Sequence, residues 1–382
     1  MMTLYAVGDI ILSGKAEVLA SQRGWKFLFQ HVAETLRKGD IVFGNLDSPL
    51  SKSGSPNPEK PQGSPHLRAA PDAVEGLKYA GFNVISLANN HAMDYGVEAL
   101  TDTLDVLDKS GIRHVGAGED EDEARKPTIF EDKEVSVALL AYTYTYPATS
   151  KSAGCAVIKE RKIREDIEKI KERADVITVS LHHGICYSDY PVPSHIELAH
   201  RIIEWGAHLI LGHHPHVLQG IERYKHGIIA YSLGNFITDL SDLEARKKAL
   251  DSSLLAQSGK FHFDAQNDTR PAEGLILRCL LGKDGVDDLK LIPIHINDGY
   301  QPVISTGEKR ENILSRIEKL SLDLQNRDLP VWKTLEELQN RERIRAAIGK
   351  GFLANLKRIH RIRRSHLSLL WSYLSDRISL KS

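Results

Sequence analysis

Apolar and polar positions along the chain fall into a repeating pattern. Short apolar runs at residues 3–7, 41–43, 84–87, 135–142, 176–181, 209–211 and 228–233 have the length and composition of buried strands. Between them, apolar residues recur three and four apart at 25–37, 72–79, 97–110, 159–173 and 194–205, which predicts helices. The 159–173 segment is rich in charge, most simply a solvated face. Two further runs, 275–281 and 289–294, flank a turn at 282–288 and predict a closing antiparallel pair. The stretch 51–65 holds Pro56, Pro58, Pro61 and Pro65 among serines and glycines. It reads as a loop that can border a site. Residues 239–273 are polar and poorly periodic, and read as a mobile loop or a partly helical flap. Strands alternating with helices predict an α/β fold.

The residues just past each apolar run carry the chemistry. The first run ends at Gly8-Asp9, where Asp9 is either a turn cap or a metal ligand at the carboxyl edge of a sheet. The second ends at Gly44-Asn45-Leu46-Asp47. The third empties into Ala88-Asn89-Asn90-His91-Ala92-Met93-Asp94-Tyr95-Gly96. Buried amides and carboxylates cost free energy unless they are paired or bind a metal. Asn90 can offer a carbonyl oxygen to a metal, and His91 can give a proton to a leaving group with Asp94 orienting its ring. The plainer alternative is an Asn-rich turn with an incidental His. Run 176–181 empties into His182-His183-Gly184, and run 209–211 into Gly212-His213-His214-Pro215-His216. Two imidazoles one residue apart can point into one cavity, with Pro215 fixing φ between them. The alternative there is a His-rich surface turn. Run 228–233 ends at Gly234-Asn235-Phe236. Of 17 histidines, His182, His183, His195, His200, His208, His213, His214 and His216 crowd into 182–216, which favours a site over scattered core residues. His195, His200 and His208 lie in or beside the 194–205 helix and read as structural.

Composition narrows the class. At 382 residues the chain holds one large domain plus an appendage, or two domains. A formal net charge of -1 gives no global field to select nucleic acid, so no nucleic-acid partner is expected. Cys155, Cys186 and Cys279 are odd in number and widely spaced, which argues against a disulfide framework and for a reducing compartment. The opening MMTLYAVGDI has neither a basic region nor a long apolar core, so the expected location is cytoplasmic. Near residue 307 the pattern changes. Residues 1–300 read as one domain and 307–382 as a helical C-terminal region. Within it, 352–382 carries Lys357, Arg358, Arg361, Arg363, Arg364, Arg377 and Lys381 against Asp376 alone, interleaved with leucines and isoleucines. Such a basic amphipathic helix can lie on an anionic membrane or bind an acidic partner; alternatively it packs on its own domain or a second copy.

Six motifs occur in order: Gly8-Asp9, Asn45-Leu46-Asp47, the run 88–96, His182-x-Gly184, Gly212-His213-His214-Pro215-His216 and Tyr231-Ser232-Leu233-Gly234-Asn235-Phe236. Together they closely resemble the CapA-type poly-γ-glutamate capsule-synthesis family, a branch of the calcineurin-like metallophosphoesterases. The resemblance covers about residues 3–295 and leaves the C-terminal region unexplained. It implies a four-layer α-β-β-α sandwich with a metal centre at the strand ends. By the same resemblance, Asp9, Asp47, Asn90, His182, His214 and His216 would be metal ligands. His91 would be the proton donor with Asp94 behind it, and Asn45, His183, Ser232 and Asn235 would meet the substrate. The implied cofactor is one or two divalent ions, with Mn, Fe or Zn suiting mixed carboxylate, amide and imidazole ligands. The implied activity is hydrolysis of an ester phosphate in a small or polymeric anionic substrate by metal-activated water. A non-hydrolytic part in a capsule or polyglutamate assembly stays open, as does hydrolysis of an amide. Three departures stand out. Ile11 occupies the place of the His in the Asp-x-His of phosphoesterases at large. Asp47 stands where the family usually has Glu, and His183 and Cys186 where it tends to have Trp and Glu. His183 therefore reads either as a substitute ligand or as a filler of the Trp position.

Overall fold

Side chains alternate across a strand, so a strand that is apolar throughout must be covered on both faces. Strand Met2–Ile10 meets this condition: Leu4 and Ala6 sit in one apolar cluster, Tyr5 and Val7 in another, and all four are buried. The computed structural model describes residues 1–60, 64–132, 134–240, 268–326 and 328–349, with side chains described as far as 340. The reading of 352–382 as a basic helix lies outside the described residues, as does most of the 239–273 loop.

Two sheets form. The larger runs Pro302–Ile304, Gly285–Ile296, Glu273–Gly282, Met2–Ile10, Ile41–Leu46, Val84–Ser86, Arg113–Val115 from edge to edge, and Asn235–Ile237 pairs with the far end of Met2–Ile10. Its pairings up to Met2–Ile10 are antiparallel, the expected closing pair among them, and the pairings from Met2–Ile10 to Arg113–Val115 are parallel. The second sheet runs Ile221–Tyr224, Gly227–Ala230, Leu209–His213, Val176–His182, Ser136–Thr143, Thr128–Glu131. Three apolar clusters account for the layering. One joins the two sheets through Leu4, Phe43, Val84, Val137, Leu139, Leu209 and Leu211. One lies between the larger sheet and helices Lys15–Arg23, Val74–Ala80 and Gly96–Lys109. The third lies between the second sheet and helices Glu160–Ile170 and Pro193–Glu204. The result is a helix–sheet–sheet–helix sandwich.

The C-terminal region begins by completing this core. Helix Gly307–Asp323 buries Ile313 and Ile317 in the cluster between the sheets. Trp332, Leu335 and Leu338 of helix Pro330–Gly349 join the outer helical layer. Among the described residues no helix is long and apolar enough to cross a membrane.

Two elements differ from their expected form. The 25–37 helix is broken into Lys26–Phe29 and Ala33–Leu36. Leu28, Phe29, Val32, Ala33 and Leu36 are all buried and would share one stripe of a straight helix, so nothing in their spacing marks the break between residues 30 and 32. The 228–233 run stops as a strand at Ala230. The chain then leaves the second sheet, turns at Gly234 (φ 68°), and enters the larger one, where Asn235 pairs beside Asp9. Only glycine takes that left-handed turn without strain.

Candidate metal centre

The parallel strands of both sheets deliver their carboxyl ends to one place, as open α/β folds do. Close backbone approach makes this possible. A Cβ on Gly8 would stand 2.0 Å from the Gly234 carbonyl oxygen, and one on Gly212 would stand 1.9 Å from that of Tyr231. Both positions precede site residues, so the glycines let the strand ends converge.

Asp9 is the centre of the cluster. It lies inside its strand, not at a turn cap, and is fully buried. Its Oδ1 accepts from Asn45 Nδ2 at 2.8 Å, and its Oδ2 accepts from the His214 backbone N–H at 3.1 Å. His216 Nδ1 also approaches Oδ2 at 3.1 Å, and His213 Nδ1 lies 3.5 Å from Oδ1. Burial opposes the charge on Asp9, but His213 and His216 outweigh it and hold its pKa well below the carboxylate range. In turn, burial opposes the His216 imidazolium, and Asp9 outweighs it, raising the His216 pKa to about 9.

His182 Nε2 is 2.6 Å from Asn90 Oδ1 and 3.1 Å from His214 Nδ1. Burial and mutual repulsion keep both rings neutral: His182 is held well below the usual imidazole range, and His214 is lowered to about 3. A neutral imidazole is the form that binds a metal. The loop that aims these rings is strained. His214 and His216 take φ values of 94° and 58° on either side of Pro215. Non-glycine residues in that region cost about 1–3 kcal/mol each and cluster at functional sites.

Asp47 is the anomaly. It is fully buried, and neither carboxylate oxygen has a hydrogen-bond partner. His182 Nε2 is 3.8 Å from its Oδ1. Ligand atoms of Asp9, Asp47 and His216 lie within 4.8 Å of one another. Burial pushes the Asp47 pKa up to about 6. A carboxylate left in this state costs several kcal/mol unless a cation faces it.

Beside the cluster, His91 Nδ1 lies 2.6 Å from Asp94 Oδ2, which also accepts the Leu67 backbone N–H at 2.6 Å. Lys60 Nζ is 2.9 Å from His91 Nδ1 and forms an ion pair with Asp94. Burial opposes the charge on Asp94, but His91 and Lys60 hold its pKa below the carboxylate range, while burial lowers that of Lys60. Lys60 had no signal in the sequence beyond its place in the Pro-rich loop. Asn89 braces the same turn: its Nδ2 donates to the Leu46 carbonyl at 2.8 Å, and its Oδ1 accepts from the His91 N–H at 3.0 Å.

Beside this cluster opens one cavity of about 1290 Å³. Asn90, His91, His214, His216 and Asn235 line it, with Lys52, Lys60 and Arg68 from the 51–68 segment. Three expected substrate contacts stand elsewhere. Asn45 is fully buried beneath Asp9, where its amide spans Asp9 and His182 (3.2 Å from Nδ1). Ser232 Oγ donates to the Val217 carbonyl at 2.7 Å and accepts from Gly234 N at 3.2 Å, so its hydroxyl is used in the turn. His183 is not a lining residue and stacks on His195, ring centroids 3.9 Å apart. The strand ends at His182, and His183, the first residue beyond it, turns away from the cluster. Asn235 borders the cavity, yet its groups hold His216: Oδ1 is 3.0 Å from His216 Nδ1 and Nδ2 donates to the His216 carbonyl at 3.1 Å.

A family model described as bacterial capsule synthesis protein PGA_cap matches residues 3–240. The PGA biosynthesis protein CapA of Bacillus subtilis (strain 168) is 34% identical over 263 residues, 68% of this chain and 69% of that protein. The capsule biosynthesis protein CapA of Bacillus anthracis is 29% identical over 326 residues, 83% of this chain and 73% of that protein. A solved phosphatase from Mycoplasma pneumoniae overlays with a TM-score of 0.47 at 14% identity, covering 77% of this chain and 95% of that one.

Proposed function

The chain belongs to the bacterial capsule synthesis protein family, and from the metal-ligating side chains gathered at its strand ends we propose that it is a metal-dependent hydrolase of a phosphoester in an anionic substrate. The observation that carries the reading is Asp47, a buried carboxylate with two unpartnered oxygens beside Asp9 and His216. This donor set fits a divalent cation, which would take the place of the His216 proton: carboxylates and imidazoles converge, His182 and His214 already neutral, with an amide oxygen at Asn90. Asp9, Asp47, Asn90, His182, His214 and His216 would hold one or two ions. When bound, divalent ions at such a centre polarise a phosphoryl oxygen and ease the deprotonation of water.

The remaining work falls to side chains around the cavity. Asp94 holds His91 through Nδ1, which leaves Nε2 to carry a proton to the leaving oxygen. Lys52 and Arg68 supply positive charge on the wall for an anionic substrate, while the charge of Lys60 is taken up by Asp94. A second reading, binding without turnover, draws on Ile11, which offers only hydrocarbon to the cavity where a ligand would complete one metal position.

Metal analysis of the purified protein, with hydrolysis of p-nitrophenyl phosphate and bis-p-nitrophenyl phosphate in added Mn(II), tests both. Bound metal with turnover is expected. Bound metal without turnover on these esters or on amide analogues favours the second reading, and absence of metal refutes the first.

The donor role of His91 has a sharper test. His91→Ala should lower turnover of an alkyl phosphate by about 10²–10⁴-fold. It should affect p-nitrophenyl phosphate far less, since nitrophenolate departs without a proton. Equal losses on both would overturn the assignment.

A further inference from the structure

Ile11 brings no ligand to the cavity, but a thiol lines the same space. Cys186 Sγ is 3.6 Å from His214 Nε2, and ligand atoms of Cys186, His214 and His216 lie within 4.8 Å of one another. We propose that Cys186 binds the metal centre as a thiolate, on an ion shared with His214 and His216. The inference rests on the metal-binding part of the reading above.

Geometry is the first support. Zinc bonds of about 2.3 Å to sulfur and about 2.0–2.1 Å to imidazole nitrogen, at a tetrahedral angle, separate the two atoms by about 3.6 Å. That is the separation found between Cys186 Sγ and His214 Nε2. The second support is the neighbouring group of Asp9, Asp47 and His216. His216 is common to both groups, and the unpartnered carboxylate of Asp47 marks its surroundings as a place for positive charge. The other two cysteines serve the packing: Cys155 and Cys279 are buried in apolar clusters and neither lines the cavity.

On binding, the S–H bond breaks, its proton passes to solvent, and a sulfur lone pair forms the bond to the divalent ion. A thiolate moves the preference of the site from manganese towards zinc, iron or cobalt. It also makes the centre sensitive to oxidants and alkylating agents.

The test uses the full chain, stripped with chelator and titrated with cobalt(II) under nitrogen, in parallel with Cys186→Ser. The wild type should develop visible cobalt bands and a near-ultraviolet sulfur-to-cobalt charge-transfer band. The variant should keep the first and lose the second. A thiol-alkylating reagent should modify Cys186 in the stripped protein and react several-fold more slowly once cobalt is present. Visible bands without the charge-transfer band, with alkylation unchanged, overturn the thiolate ligand and leave the metal reading intact. No cobalt spectrum in the wild type overturns both. Should Cys186→Ser fail to fold, wild-type spectra and alkylation with and without cobalt decide the matter.

Discussion

His216→Ala is expected to remove metal binding and hydrolysis together, and also to destabilise the metal-free protein. The second effect distinguishes this residue from an ordinary ligand. His216 Nδ1 lies 3.1 Å from Asp9 Oδ2; Asp9 is fully buried, and His216 stands half-buried over it on the cavity wall. With its pKa raised to about 9, His216 is a countercharge for buried Asp9 at neutral pH. Asn45, His213 and the His214 N–H still face Asp9 after the change, so the loss should fall below the ~3–5 kcal/mol of a buried charge left with no partner. Asn235 Oδ1 also loses its imidazole contact. Denaturant unfolding in chelator should show this loss, while metal analysis and ester turnover should both fall to background. Wild-type stability without metal would refute the ion pair, and retained metal would refute the ligand assignment.

Asp47→Asn should act in the opposite direction on the metal-free protein. Neither oxygen of Asp47 has a partner, and burial raises its pKa from 3.8 to about 6. The folded chain therefore holds a proton that the unfolded chain releases near 3.8. Metal-free wild type then loses stability as pH rises from about 4 to about 6, by up to about 3 kcal/mol. The amide carries no charge, so the variant should lack this slope and be at least as stable as wild type at about pH 7. A divalent cation reverses the order. Wild type should gain thermal stability on adding metal, as any ligand of the native state confers, and the variant should gain little. Thermal melts at about pH 5 and about pH 7, with chelator and with metal, read all four cases. A variant that is less stable than wild type in chelator would show that Asp47 is satisfied by the protein itself.

These two effects have opposite signs although both residues follow strand ends and both are titratable groups of one cluster. Residue type and strand position, which are local, made each a candidate ligand. The sign depends on which partner each finds, which is not local. Asp9 meets His214 across 205 positions of sequence, and Asn45 meets His182 across 137.

The sequence by itself determined the strand and helix pattern, because alternation and helical spacing report which faces must be buried. It also determined which residues cluster at strand ends: Asp9, Asp47, Asn90, His91, His182, His214 and His216 each follow or end an apolar run. Tertiary structure alone decided what each does. His183 and His182 are adjacent, yet the strand ends between them, and one stacks on His195 while the other meets Asn90. Ser232 and Asn235 share a motif, yet the turn at Gly234 takes the hydroxyl of one and sets the other beside Asp9. Lys60 carried no pattern of its own, and Cys186 only a place where the resembled family tends to have Glu. Each became part of the site because a loop from a different strand end folds over the same cavity, and loop paths are set by long-range packing and not by local propensity.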